Sequence, residues 1–229
     1  MKSYKLYLFD LDGTLIDSDQ MLIETFHELY KIYRPGYMPE DSYIRTFSGP
    51  QITETLSKEF PNEDQTKMMN EYRERSRKYY DQYVRLFPNV MKMLEMLKNK
   101  GIKFGIITNK HRYATQYTYK LLDLEKFDIF SVCADDVKNL KPAPDGVYES
   151  MEHFGVENKE DVIYIGDGYI DYLTAKNAGI HFGYISWSPR VMPSDVKIDV
   201  KIDNYSRFAE EIKQWNKQIL SLLVQELRA

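Results

Sequence analysis

Cysteine is almost absent: Cys133 is the single one in 229 residues. A lone thiol excludes an internal disulfide and any multi-cysteine zinc site. Set in the apolar run 129–134, it reads as a small buried hydrophobe. Long apolar runs are missing as well. The first stops at Phe9, ahead of Asp10 and Asp12, too short for the apolar region of a signal peptide. Nothing approaches the ~20 apolar residues of a membrane helix. Positive charge is not in excess either: 31 Lys and Arg stand against 35 Asp and Glu, a net charge of −4. That balance argues against a nucleic-acid partner, which needs a basic face. The expectation is a cytoplasmic chain with neither membrane nor nucleic acid as a partner.

What is present is an ordinary globular mix, with 43% apolar and 29% charged residues. The length suits one large domain or two unequal ones at ~150 residues each. A chain of this size buries roughly 70–75% of its unfolded surface, so it needs no covalent staples.

Five short apolar runs read as strands: Tyr4–Leu11, Lys103–Thr108, Ile129–Ala134, Asp161–Ile165 and Phe182–Ser186. Amphipathic stretches separate them. Val90, Met93, Leu94 and Leu97 keep the spacing of one helical face, and Gly101 stops that helix. Strands alternating with helices predict an α/β fold, a Rossmann-like parallel sheet covered on both faces. Its ligand belongs beyond the carboxyl ends of the strands. Residues 18–86 break the rhythm with three helical stretches, Met21–Tyr33, Ile52–Phe60 and Asp64–Leu86. An all-helical insertion over 18–86 is the simplest account, leaving 1–17 and 87–229 as the α/β core. In the tail, Phe208, Ile212, Trp215, Ile219, Leu222 and Leu223 mark a helical face. Packing on the core is its favoured reading and a dimer contact the lesser one, so the chain is read as monomer or homodimer.

Four features carry chemistry. In Phe9-Asp10-Leu11-Asp12-Gly13-Thr14, two acids two residues apart end a strand. Side chains at i and i+2 of a strand share a face, where two anions repel unless a cation lies between them. Carboxylate and carbonyl oxygens are the hard ligands Mg²⁺ prefers. Thr108-Asn109 ends another strand and offers hydrogen bonds to a phosphate oxygen, although the pair also serves in turns. Lys110 after it reads as solvated and is left out of the catalytic set. Lys141-Pro142 offers one fixed positive charge in a stiffened turn. In Gly166-Asp167-Gly168-Tyr169-Ile170-Asp171 two acids again follow a strand. Asp171 suits a helix cap equally well; Asp167 does not.

Taken in order, these four features resemble the motifs of the haloacid dehalogenase superfamily, over Tyr7 to Asp171. The helical insertion stands where that superfamily carries its small cap. Within it the chain is similar to the phosphoglycolate phosphatase branch, and Phe47-Ser48-Gly49-Pro50 resembles that branch's substrate-specificity loop. The resemblance implies a Mg²⁺-dependent phosphatase of a small phosphorylated metabolite, working through an aspartyl-phosphate. Asp10 would be the nucleophile. Asp12 would be general acid and then base. The Asp10 carboxylate, the Asp12 carbonyl and Asp167 would hold Mg²⁺, with Asp171 orienting that shell or ligating. Lys141 and Thr108 would fix phosphate oxygens, and Asn109, Gly49 and Gly13 would bind substrate. The Tyr and Arg residues of the insertion (Tyr72, Arg73, Arg75, Arg77, Tyr79, Tyr80, Tyr83 and Arg85) read mostly as a solvated face. One or two of them are candidates for a second anionic group on the substrate, and Arg45 and Gln51, flanking the Gly49-Pro50 turn, are candidates for setting specificity. His27, His111, His153 and His181 show no ligand spacing.

Three other readings remain. A sugar phosphomutase of the beta-phosphoglucomutase kind shares the first motif but carries an acidic residue where Gly166 stands here. A pyrophosphatase is the second. A non-catalytic binding protein on the same fold is the third, though it has no need to keep Asp10, Asp12, Lys141 and Asp167 together.

Overall fold

A computed structural model describes residues 3–214. The run Leu6-Tyr7-Leu8-Phe9 is buried along its whole length and forms β1 (Leu6–Phe9). A two-residue strand, β2 (Ile16–Asp17), leads out of the core. Four helices follow: α1 (Asp19–Tyr33), α2 (Asp41–Arg45), α3 (Ile52–Glu59) and α4 (Gln65–Tyr83). The chain returns through β3 (Arg85–Leu86), antiparallel to β2. After it come α5 (Val90–Asn99), β4 (Lys103–Ile107), α6 (Arg112–Leu121) and β5 (Phe130–Val132). The last elements are α7 (Asp145–Phe154), β6 (Val162–Gly166), α8 (Tyr169–Ala178), β7 (His181–Ile185) and β8 (Val200–Ile202).

Six strands make one sheet in the order β5-β4-β1-β6-β7-β8. Every neighbouring pair in it is parallel. Alternation along β1 divides the core between the two faces. Tyr7 and Phe9 pack with Met93, Leu94 and Leu97 of α5 and with Phe208 and Ile212 of the tail. Leu6 and Leu8 point the other way, onto Val147 and Met151 of α7 and Ala175 and Ala178 of α8. The order reverses direction at β1, with β4 on one side and β6 on the other. In such sheets the crevice beyond the strand ends at that switch is where ligands bind. Asp10, Thr108 and Asp167 are the first residues past β1, β4 and β6.

The inserted helices have an apolar cluster of their own, including Leu22, Phe26, Tyr30, Phe47, Phe60 and Met68. Within it the buried Glu59 accepts hydrogen bonds from the Tyr30 and Tyr43 hydroxyls, both at 2.7 Å. That satisfies a carboxylate which burial alone would penalise.

The parallel sheet and the five expected strands are present, β1, β4 and β5 with shorter ends and β6 and β7 each displaced by one residue. β8 was not anticipated: three residues at a sheet edge, only alternately buried, leave almost no pattern. The helix expected over 64–86 starts after Asp64, whose carboxylate accepts from Lys67 N–H at 2.7 Å. It stops at Tyr83 because Arg85 and Leu86 pair with β2. α2 was not foreseen either. In the tail, Phe208 and Ile212 are buried on the core as expected; Trp215, Ile219, Leu222 and Leu223 lie outside the described residues.

Candidate active site

Parallel pairing brings the ends of β1, β4 and β6 together, so acids distant in sequence must share one buried space. Carboxylate oxygens of Asp10, Asp167 and Asp171 all lie within 4.8 Å of one another. Lys141, buried with them, donates to Asp10 at 2.6 Å, to Asp171 at 2.8 Å and to the Tyr164 hydroxyl at 3.0 Å. All three ammonium hydrogens are thereby used. Burial pushes the Asp10 carboxyl up, Lys141 pulls it down and Asp171 raises it again, leaving it at about 6. Burial likewise pushes Asp167 well above the ordinary carboxylate value, against the pull of Arg190.

Both oxygens of Asp171 are engaged by donors. One oxygen accepts from the backbone N–H groups of Asp167 and Gly168, both at 3.1 Å. The other accepts from Lys141 and shares the Tyr164 hydroxyl hydrogen, at 3.2 Å, with Ile107 O at 3.0 Å. It caps α8 and braces the motif at once. Asp167 accepts from Ser188 at 3.3 Å and from Arg190 on one oxygen; the other accepts nothing among the described residues.

Asp12 is handled separately. Its carboxylate accepts from Ser18 at 2.7 Å and from Lys110 at 2.6 and 2.7 Å on its two oxygens. Burial raises its pKa, but Lys110 and Ser18 outweigh burial and hold it below the ordinary value. The expectation of one cation between the Asp10 and Asp12 side chains therefore needs correcting. β1 ends at Phe9, the two acids sit in the loop beyond it, and each faces its own ammonium. The Asp12 carboxylate is not in the three-acid group, which leaves its backbone carbonyl as its predicted metal contact. Lys110, read from sequence as solvated, is a second correction: its side chain is 14% exposed and paired.

Asp10, Asp12, Thr108, Asn109, Lys141 and Gly49 all line a cavity of about 710 Å³ between core and insertion. The Thr108 hydroxyl accepts from Lys110 N–H at 3.1 Å and keeps its own hydrogen to give. Asn109 differs from expectation. Its Nδ2 donates to Gly49 O at 3.0 Å and Lys141 O at 3.1 Å, while its Oδ1 accepts from Lys141 N–H at 3.0 Å. With both amide hydrogens used, it positions Lys141 and the Gly49 loop rather than offering a side-chain donor to phosphate. Gly13 does not line the cavity. At φ +85°, a β-carbon there would lie 2.2 Å from Asp167 Oδ2, so this glycine lets the Asp167 carboxylate close on the first motif.

Arg190 was missed. From the loop after β7 it contacts Asp167 and reaches Asp19 of α1 at 2.9 Å. A lone arginine beyond Ser188-Pro189 carries no spacing that ties it to a site. His27, His111 and His181 pair with carboxylates and His153 stacks on Phe130, so none joins a ligand set.

Residues 7–185 match the family model for haloacid dehalogenase-like hydrolases. Pyrophosphatase PpaX of Oceanobacillus iheyensis is 32% identical over 189 residues, 81% of this chain and 85% of its own. That of Bacillus cereus strain AH820 is 30% identical over 92% of this chain and 97% of its own. A haloacid dehalogenase-like hydrolase structure from Bacteroides fragilis superposes with a TM-score of 0.76 at 25% identity, covering 90% of this chain and all of that one. A predicted phosphoglycolate phosphatase from Haemophilus somnus superposes with a TM-score of 0.76 at 21% identity, covering 92% and 98%, a likeness of fold. With its four motifs converging at the switch point and a family match over most of its length, the chain belongs to the haloacid dehalogenase-like hydrolases.

Proposed function

We propose that the chain is a Mg²⁺-dependent phosphatase that transfers the phosphoryl group of a small phosphorylated compound to Asp10 and then to water. The observation that supports it best is the gathering of Asp10, Asp167 and Asp171 around Lys141, at a cavity Thr108 and Asp12 also face. The family implies a divalent cation, and the residues fit one: three buried carboxylates, two raised in pKa, amount to negative charge in want of a cation. Asp10, Asp167 and the Asp12 carbonyl would hold Mg²⁺, with Asp171 orienting Asp167 through its backbone. When bound, the ion offsets charge on the transferring group.

In this reading the Asp10 carboxylate attacks phosphorus in line and the bond to the leaving oxygen breaks. Thr108 donates to a non-bridging oxygen, and Lys141 does the same by exchanging its hydrogen bond to the Tyr164 hydroxyl for one to phosphate. Asp12 protonates the leaving oxygen, then takes a proton from the water that splits the acyl phosphate. Lys110 and Ser18 hold it ready for the second task. For the first it must gain a proton, so leaving groups that depart readily as anions ask least of it. Residues 18–86 act as a cap that excludes water and selects the leaving group, over a core of 1–17 and 87–229. Their separate apolar cluster and two-stranded link support this division.

Gly166 favours hydrolysis over the mutase reading: a β-carbon there would meet Asp171 Cβ at 2.3 Å, leaving no room for an acid. The PpaX relatives keep pyrophosphate among the substrates to assay. Phosphate release from p-nitrophenyl phosphate and pyrophosphate is expected with Mg²⁺ and lost with chelator. Activity untouched by Asp10→Asn would overturn the covalent step, and a hexose 1-phosphate returned as its isomer would favour the mutase. Gly13→Ala is expected to lower Mg²⁺ affinity about ten-fold or more by pushing Asp167 away. Isothermal titration calorimetry checks this, and an unchanged affinity would remove the role given to Gly13.

A further inference from the structure

The insertion already rests on the core at both rims of the cavity. Asn109 donates to Gly49 O at 3.0 Å on one side. On the other, the Tyr80 and Thr118 hydroxyls are hydrogen-bonded and Tyr117 donates to Asp81 at 2.6 Å. The space of about 710 Å³ thus belongs to an insertion in contact with the core, not one swung clear. A two-carbon phosphate or a pyrophosphate fills a small part of it. Pockets of about 300–1,000 Å³ suit much larger ligands.

One wall is a stripe of α4: Met69, Tyr72, Arg73, Ser76, Arg77 and Tyr80. Their i, i+3, i+4, i+7, i+8, i+11 spacing puts them on one helical face. Eleven residues at 1.5 Å each span about 16 Å, several times the length of a two-carbon body. Tyr113 and Tyr117 of α6 and Met21 and Leu22 of α1 also line the space. Aromatic faces and thioethers of this kind accept flat apolar groups. The Tyr72 ring packs beside Phe26 at 6.0 Å, and its hydroxyl makes no hydrogen bond among the described residues.

The charges on α4 are sorted by face. Arg75 pairs with Glu28 at 3.3 Å and with Glu71, and Lys78 pairs with Glu28 at 3.2 Å. Arg73 and Arg77, one turn apart on the cavity stripe and both partly open to solvent, have no carboxylate partner among the described residues. Among the described residues Arg77 donates only to the Tyr113 hydroxyl, at 3.4 Å. Two like charges at i, i+4 repel, and a second anion on the ligand would relieve both by forked hydrogen bonds.

We propose that the substrate is a phosphate monoester whose leaving group has a bulky, flat, largely apolar body and a second anionic group, bound by Arg73 and Arg77. The proposal rests on the phosphatase reading and specifies its leaving group. The phosphoryl group passes to Asp10 and the leaving oxygen keeps the bonding pair and takes a proton. Water then cleaves the acyl phosphate, giving inorganic phosphate and the free hydroxy compound.

The test measures kcat/KM of the full chain with Mg²⁺ on phosphoglycolate, pyrophosphate, phenyl phosphate, 2-naphthyl phosphate and 6-carboxy-2-naphthyl phosphate. Phenyl and naphthyl esters share the same kind of leaving oxygen, so their ratio reads body size. The two naphthyl esters differ by the distal anion. The naphthyl ester is expected to exceed phenyl phosphate about five-fold or more, and the carboxylate to add about ten-fold. Arg73→Gln and Arg77→Gln are each expected to cut the carboxylate's advantage to about two-fold or less. Phosphoglycolate or pyrophosphate outpacing both naphthyl esters would overturn the proposal and leave the phosphatase reading standing. So would variants that slow the two naphthyl esters equally. No phosphate from any of the five would remove the phosphatase reading itself.

Discussion

Asp10→Asn is expected to abolish turnover and, in divalent-free buffer at pH 7–8, to raise the thermal midpoint. The Asp10 carboxyl sits at about 6 in the fold against an ordinary 3.8, chiefly because burial disfavours its charge. A group that holds its proton more tightly folded than unfolded costs the fold stability as pH rises between those two values. The cost is absent below pH ~4 and full above pH ~6, up to about 3 kcal/mol. Asparagine keeps the shape and lacks the charge, so it mimics the protonated acid at every pH. It forfeits the Asp10–Lys141 ion pair, but Lys141 keeps Asp171 at 2.8 Å. The value of about 6 already counts that pair, so the net gain stays at up to about 3 kcal/mol, or roughly 6–12 °C for a chain of this size. Thermal melts from pH 4 to 8 check it: wild type and variant should agree at the acid end and separate as pH rises. Added Mg²⁺ should lift the wild type alone. Parallel curves across that range would mean that Asp10 carries no such penalty.

The same charge balance explains which parts of the site were legible in the sequence. Asp10, Thr108 and Asp167 each follow a buried apolar run directly, so a parallel sheet had to bring them to one edge. Lys110 and Arg190 were not legible, because a cation beside no acid in sequence looks solvated. The fold brings Lys110 across 98 residues to Asp12 and Arg190 across 171 residues to Asp19. Asn109 was placed correctly and given the wrong work. Only the structure shows that both amide hydrogens already serve Gly49 and Lys141. The alternation argument for Asp10 and Asp12 assumed a strand that ends before either acid. β8 failed for a plainer reason: Val200-Lys201-Ile202 is too short to repeat anything.

Lys141 is the residue whose loss should cost most. Its side chain is 3% exposed and sits between two carboxylates that are themselves nearly inaccessible. Lys141→Ala leaves Asp10 and Asp171 facing each other with no cation, and breaking a buried pair from one side costs about 3–5 kcal/mol. A fall of roughly 6–20 °C in the thermal midpoint follows. Turnover should drop about 10³-fold, because the same ammonium is proposed to hold a phosphate oxygen. Lys141→Arg should rescue neither quantity, since a planar guanidinium does not fit a space shaped for a compact ammonium. Stability and catalysis separate in the double variant Lys141→Met/Asp171→Asn. Removing one buried anion along with the cation should recover part of the lost stability, while turnover stays at the level of Lys141→Ala. Recovery of both together would make Lys141 a structural counter-ion only, and the phosphate would need another anchor.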